Sequence, residues 1–317
     1  MESKGTPSAQ LQQALANNPA MSGEDDGSNY EMITEASPEA GVFTIVGGYL
    51  DEEGEVHSEV QLRSLTGREE EMLGNDSISI NQRLNSIMTS CTQRIGSITD
   101  KGQIAKAINS LPAGARTHLL ICLKRTSHFR RIKDRYEMEI ECPHCGKEGS
   151  YAADLSELET YDIPDPSVRT YEVNLLDAKS TVVWQIAGTH ADEVMAIVMK
   201  DSEEDAKVLS YQIAMRVISI DGTPVKLNIS DFLSQDHKKL KLSKNALQVL
   251  DWTRKLTTAD REDLRESFMD NEPGVELNID VDCRHCKREF TAGLDVAQKS
   301  FFFPTAVSRR SKRRRSI

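Results

Sequence analysis

Two short cysteine pairs carry the chemistry available to this sequence. Cys142 and Cys145 flank Pro143 and His144, and Cys283 and Cys286 flank Arg284 and His285. A single Cys-x-x-Cys is weak evidence, because it suits redox chemistry or an ordinary turn as well as a metal. Two such pairs in matching surroundings point to a tetrahedral site in which four thiolates close around one structural Zn2+. A redox pair needs a helix N-terminus to lower its thiol pKa, whereas a charged, strand-like run leads into each pair here. His144 and His285 lie between flanking thiolates, where a side chain turns away from the metal, so the expected ligands are Cys142, Cys145, Cys283 and Cys286. Two alternatives stay open from the residues alone: two separate sites that borrow other ligands, or two cysteine hairpins without metal.

The elements that must position these thiols read alike. Residues 136–141 (YEMEIE) and 275–282 (VELNIDVD) alternate apolar with acidic or polar side chains, the period of a strand with one buried face. Residues 146–155 and 287–295 follow the knuckles, and each stretch ends near an aspartate. The pattern is strand, knuckle, strand in both places, the two halves of one split zinc ribbon. Everything between the pairs then leaves from one side of the metal and returns to the other. Zinc would staple the base of this insert and contribute to its folding, so that losing the thiolates would loosen a module rather than abolish a chemical step.

The rest of the chain divides by composition. Residues 1–40 are rich in Ser, Asn, Pro, Gly and acidic side chains and read as a flexible arm, disordered alone or ordered on a partner through Tyr30, Met32 and Ile33. Residues 41–160 form a base with both strands and helices. A hairpin spans 42–46 and 56–65, and Thr66 with Glu69 makes a capping box opening a helix over 68–73. Further helices are expected over 81–95 and from Pro112 to about residue 129. The cations Lys124, Arg125, Arg130, Arg131, Lys133 and Arg135 form either a basic patch or an ordinary solvated face. Residues 161–274 read as a hairpin (170–176 and 180–186) followed by helices from Thr189, over 203–218, within 229–256, and from Thr258. Residues 275–300 complete the ribbon. Residues 301–317 hold Phe301, Phe302 and Phe303 and then the cations Arg309, Arg310, Lys312, Arg313, Arg314 and Arg315. The fold class expected is α+β, a β-rich base carrying a split zinc ribbon of four cysteines and a largely helical insert.

Composition narrows the function. A net charge of −11 opposes a general nucleic-acid surface, which needs a basic field to displace counterions. No apolar run approaches the ~20 residues that span a bilayer, and no secretory leader is read, so a protein kept in a reducing compartment without a membrane anchor is expected. A saturated four-thiolate site leaves no position for an activated water. There is no His-Glu-x-x-His pair and no phosphate-binding Gly-x-x-x-x-Gly-Lys-Ser/Thr loop, and Gly47-Gly48 lacks the other glycines of a dinucleotide fingerprint. No catalytic set is expected.

Several stretches taken in order resemble the T4-type bacteriophage baseplate protein family, whose T4 member is a central hub component or hub assembly factor. They are residues 60–71 (VQLRSLTGREEE), the first knuckle with 154–158, residues 217–222, Glu272-Pro273-Gly274-Val275 before the second knuckle, and Phe301-Phe302-Phe303-Pro304. Together they cover about residues 56–304; the acidic arm and the Arg-rich tail have no counterpart in the pattern. The resemblance implies a structural or assembly subunit of a contractile-tailed phage baseplate, placed in the virion tail and, during assembly, in the host cytoplasm. Its partners would be other baseplate or tail proteins. Phe301, Phe302, Phe303, Arg313, Arg314 and Arg315 are the candidate partner-binding residues, although the aromatic cluster equally suits packing back on the core. The alternative function is a zinc-stabilised nucleic-acid-binding or regulatory module built on the basic stretches.

Overall fold

The computed structural model describes residues 40–127, 134–201, 205–235, 237 and 239–302. The N-terminal arm, Phe303 and the basic tail lie outside the described residues, as do Arg130, Arg131 and Lys133.

The base is built on a three-stranded antiparallel sheet. β1 (Ala40–Leu50) pairs with β2 (Val56–Arg63) as the expected hairpin, with a register shift between Thr44 and Tyr49. Gly47 (φ 68°) and Gly48 (φ 53°) occupy that irregularity in the left-handed region, where glycine carries no Cβ penalty. α1 (Gly67–Gly74) opens at Thr66, whose N–H and hydroxyl both donate to the Glu69 carboxylate at 2.9 and 2.7 Å. Glu69 is fully buried and also accepts from Arg63 and Ser90. Burial alone would raise its pKa, but these donors together hold the carboxyl well below the usual carboxylate range.

α2 (Ile80–Cys91) begins at a Ser79 cap and stops earlier than its apolar spacing suggests. At Thr92 the chain becomes β3 (Thr92–Ile95), which pairs with β2. The periodicity through Ile95 therefore spans two elements, because Ile95 is buried from a strand and not from a helix. α3 (Lys101–Ser110), capped by Asp100, buries Ile104, Ala107 and Ile108 and is an element beyond those expected from the sequence. α4 (Ala113–Ser127) packs along β1 and carries the most heavily buried run of the base, Leu119 to Leu123.

Two hairpins of the same shape bracket the insert. β4 (Arg135–Glu141) pairs with β5 (Glu148–Asp154). The chain then enters the insert through β6 (Thr160–Tyr161). Inside it, β7 (Thr170–Leu175) and β8 (Ser180–Gln185) form the expected hairpin. α5 (Thr189–Asp201) and α6 (Asp205–Arg216) follow. The helix expected through residue 218 ends at Arg216, and β9 (Val217–Ile220) with β10 (Thr223–Pro224) extends the sheet to the order β10-β9-β8-β7. α7 (Lys244–Lys255) and α8 (Thr258–Asn271) complete the insert. One of its two cores centres on Trp184, fully buried between Tyr171 and Phe268, with the indole N–H donating to the Ser267 hydroxyl at 3.0 Å; the other joins Val198, Tyr211, Phe232 and Leu250.

The insert returns through β11 (Gly274–Val275), which pairs with β6 to form a two-stranded neck. β12 (Asn278–Asp282) and β13 (Glu289–Gly293) make the second ribbon hairpin, and α9 (Lys299–Phe302) ends the described chain. This is a mixed α and β architecture of open antiparallel sheets with a helix-rich insert. No helix among the described residues is long and apolar enough to cross a membrane.

The neck is not held by the ribbon alone. The Gly47 N–H donates to Asp162 Oδ1 at 2.7 Å, and Arg169 donates to the Gly47 and Gly48 carbonyls at 2.8 and 3.1 Å. Arg116 on α4 pairs with Asp192 on α5, and the Ala113 N–H reaches the Ala187 carbonyl at 2.9 Å. Glu272 ties the far end, accepting from Arg216 at 2.7 and 2.8 Å and from the Ala187 N–H at 2.9 Å.

Candidate metal centre

The alternation along β4, β5, β12 and β13 gives each hairpin one apolar and one polar face. Met138, Ile140 and Tyr151 from the first hairpin pack against Ile279, Val281, Phe290 and Ala292 from the second. Tyr151 and Phe290 meet edge to face at 5.7 Å. Sandwiching these faces brings the knuckles together at one end, so that thiols more than a hundred residues apart become neighbours.

All four sulfurs lie within 4.8 Å of one another. Cys142 Sγ is 3.8 Å from Cys286 Sγ, and Cys145 Sγ is 3.8 Å from Cys283 Sγ. Four sulfurs at the corners of a tetrahedron around zinc, each ~2.3 Å from the ion, stand about 3.8 Å apart. The cage therefore fits one Zn2+ and is too wide for disulfides, in which bonded sulfurs sit ~2.05 Å apart. All four cysteines are free. Of the arrangements left open by the sequence, the cluster matches a single four-thiolate site.

The knuckles repeat each other in their turn hydrogen bonds. The Cys142 N–H donates to the Lys147 carbonyl and the Gly146 N–H to the Cys142 carbonyl; the Cys283 N–H donates to the Arg288 carbonyl and the Lys287 N–H to the Cys283 carbonyl. Gly146 (φ 65°) and Lys287 (φ 61°) hold the same left-handed position after the second cysteine. The His144 N–H points at Cys142 Sγ and the His285 N–H at Cys283 Sγ, both at 3.4 Å.

The histidine rings are turned to other partners, and the four-residue cluster contains cysteines alone. Each reaches across to the other hairpin: His144 Nε2 donates to the Glu289 carbonyl and His285 Nε2 to the Glu148 carbonyl, both at 3.2 Å. This reciprocal stitch was not anticipated from the sequence. Its trace was there in the spacing, since Glu148 lies as far beyond Cys142 as Glu289 lies beyond Cys283.

The electrostatics favour a divalent cation. The N–H groups of Cys286 and His285 help to hold the Cys283 thiol down at about 5, against the cost of its burial. Cys145 is pushed up to about 11: the Lys147 N–H favours its thiolate, but burial and competition with the other three sulfurs outweigh that donor. Four thiolates packed this closely repel one another unless a cation lies among them. Zn2+ would supply the compensating charge, releasing protons as it binds. Its chemistry there is structural, since four protein thiolates complete its coordination.

The other expected site residues fall elsewhere. Phe301 and Phe302 are 0% and 1% exposed and belong to the core of the base, so in this arrangement neither ring is offered to a partner. Phe301 lies 5.0 Å from Tyr136, and the Lys124 amine donates to the Phe302 carbonyl at 3.2 Å while sitting over both the Tyr136 and Phe301 rings. Phe303, Arg313, Arg314 and Arg315 lie outside the described residues. Of the described members of the basic patch read around Lys124, Arg135 is exposed and lies 3.9 Å from Glu137, while the other two are turned to partners within the fold. Lys124 is buried, its pKa pushed down to about 8 by burial, and Arg125 pairs with Asp134 at 2.7 Å beneath the Phe43 ring.

Comparison with known proteins gives one result. A family model described as "T4 bacteriophage base plate protein" matches residues 50–302, spanning base, insert and both ribbon hairpins. Neither curated proteins nor solved structures give a match.

Proposed function

The chain belongs to the T4 bacteriophage base plate protein family, and from that premise we propose that it works in the hub region of a contractile-tail baseplate, as a resident subunit or as a factor that assembles the hub. Membership makes it a structural or assembly protein of a phage baseplate, not an enzyme, acting through contacts with other baseplate or tail components. The hub position and the place in the mature virion are the proposal. The observation that supports it is the family match over residues 50–302, which runs from the end of β1 through the insert and both ribbon hairpins. The closed thiolate cage supports the same reading, because a metal with no open position shapes a scaffold and does not turn over a substrate.

In this role the ribbon fixes the two ends of the insert relative to the base, and the surfaces of base and insert meet neighbouring subunits. Native mass spectrometry of the chain co-expressed with the other proteins of the same phage tail tests the proposal. One zinc per chain inside a defined hetero-complex is expected. Cys283→Ser is expected to lose the metal and to weaken the complex with it. A zinc-loaded monomer that joins none of those proteins would refute the baseplate assignment while leaving the metal site standing.

A further inference from the structure

The thiolate cluster has a polar neighbour whose own bonding is incomplete. Tyr151 on β5 is 5% exposed and packs in the apolar cluster that holds Cys142, Cys283, Phe290 and Ala292. Its hydroxyl is sealed from solvent and has no hydrogen-bond partner among the described residues. A buried hydroxyl left without a partner is costly, and a buried tyrosine ordinarily finds one.

Packing aims this phenol at the knuckles. Gly149 and Tyr151 share the buried face of β5, with Gly149 nearer the first knuckle. A Cβ on Gly149 would stand 2.8 Å from the Tyr151 Oη and 2.9 Å from its Cε2. The ring therefore lies back over Gly149, with its hydroxyl toward the metal end of the hairpin. The two hairpins differ at this point. Counted from the first cysteine of each knuckle, Gly149 corresponds to Phe290 and Tyr151 to Ala292. The Phe290 and Tyr151 rings meet edge to face at 5.7 Å, so each large side chain faces the small residue of the other half. Only the first hairpin brings a hydroxyl to the cluster.

The groups beside that hydroxyl are the Cys283 sulfur and the Arg284 backbone N–H. Burial raises the phenol pKa, the Cys283 sulfur raises it further, and the Arg284 N–H draws it down. The N–H is a donor and serves only a lone pair of the phenol oxygen. The hydroxyl proton needs an acceptor, and of the two neighbours only the sulfur is one. A thiol accepts weakly, whereas an ionised sulfur forms the stronger, charge-assisted bond. Cys283 Sγ also receives the His285 and Cys286 N–H groups, both at 3.4 Å.

We propose that Tyr151 donates its hydroxyl proton to Cys283 Sγ when the four thiolates hold their metal, and that this bond strengthens metal binding. By drawing charge from one sulfur it lowers the repulsion among the four. Tyr151 is a positioning residue, touching a ligand and not the ion. The inference rests on the four-thiolate site and not on a place in the baseplate.

Tyr151→Phe in the full chain tests it, because the ring and its packing stay and only the hydroxyl goes. In the Co2+-substituted protein the sulfur-to-cobalt charge-transfer band is expected to move to longer wavelength, since a thiolate without its donor gives up charge more readily. Zn2+ affinity, measured against a competing chelator, is expected to fall about tenfold. A hydroxyl without an acceptor predicts the opposite, because removing it is neutral or stabilising. An unmoved band or an undiminished affinity in Tyr151→Phe would therefore overturn the hydrogen bond. A native chain that gives no tetrahedral four-thiolate cobalt spectrum would overturn the metal site itself, and the bond with it.

Discussion

At the scale of single residues, His144 and His285 decide how the ribbon closes. A histidine between two zinc-binding cysteines invites assignment as a ligand, yet each imidazole here donates its Nε2 proton to a carbonyl of the opposite hairpin. A typical hydrogen bond within a protein contributes a net ~0.5–1.5 kcal/mol, and this reciprocal pair, exposed on both sides, helps to hold two halves that the sequence leaves far apart. In His144→Ala/His285→Ala the four thiolates remain. The visible spectrum of the Co2+-substituted protein should match that of the native chain, while the metal is lost to a competing chelator about tenfold faster. An altered spectrum would make an imidazole a ligand, and an unaltered rate of loss would remove the stitch.

At the scale of elements, one close approach sets the seat of the insert. α4 begins against the strand that closes the neck, and a Cβ built on Gly114 would stand 1.8 Å from the Pro273 carbonyl oxygen and 2.7 Å from the Gly274 Cα. Both neighbours are backbone and cannot turn aside as a flexible side chain would. Gly114→Ala should therefore push the helix from β11 and cost about 3 kcal/mol or more, at the upper end of overpacking. A urea midpoint measured with unchanged slope checks it, and a loss below ~0.5 kcal/mol would mean that the neck gives way easily. Elements also explain the two helices that proved shorter than their periodicity. Residues 92–95 and 217–220 continue the apolar spacing of the helices before them, but both run along open strand edges and pair there. An apolar side chain three or four residues on satisfies either element, and the available sheet edge decides between them.

At the scale of the whole molecule, the metal and the insert are less tightly coupled than the linear order implies. Zinc joins the hairpins, but the insert also rests on the base through Asp162, Arg169, Arg116 with Asp192, and the Ala113–Ala187 hydrogen bond. Chelating the metal should raise amide hydrogen exchange in residues 135–154 and 278–293 and leave the strands β7 and β8 protected. Loss of protection throughout the insert would instead make zinc its only staple, as strand–knuckle–strand bracketing alone suggests.

The four-cysteine cluster, the strand–knuckle–strand shape of each half and the baseplate family were all legible before any fold was known. Each rests on local signals: Cys-x-x-Cys spacing, two-residue alternation and short motifs in fixed order. The hairpin of the base, the Thr66–Glu69 cap and the insert hairpin were readable for the same reason. Packing in three dimensions was needed to show that Phe301 and Phe302 fill the core, that Lys124 points inward to meet the Phe302 carbonyl, and that His144 and His285 cross between hairpins. Composition marks a side chain as aromatic, cationic or imidazole, but which partner it meets depends on contacts between segments more than a hundred residues apart, and those are set only when the apolar faces of the ribbon and the base close on each other.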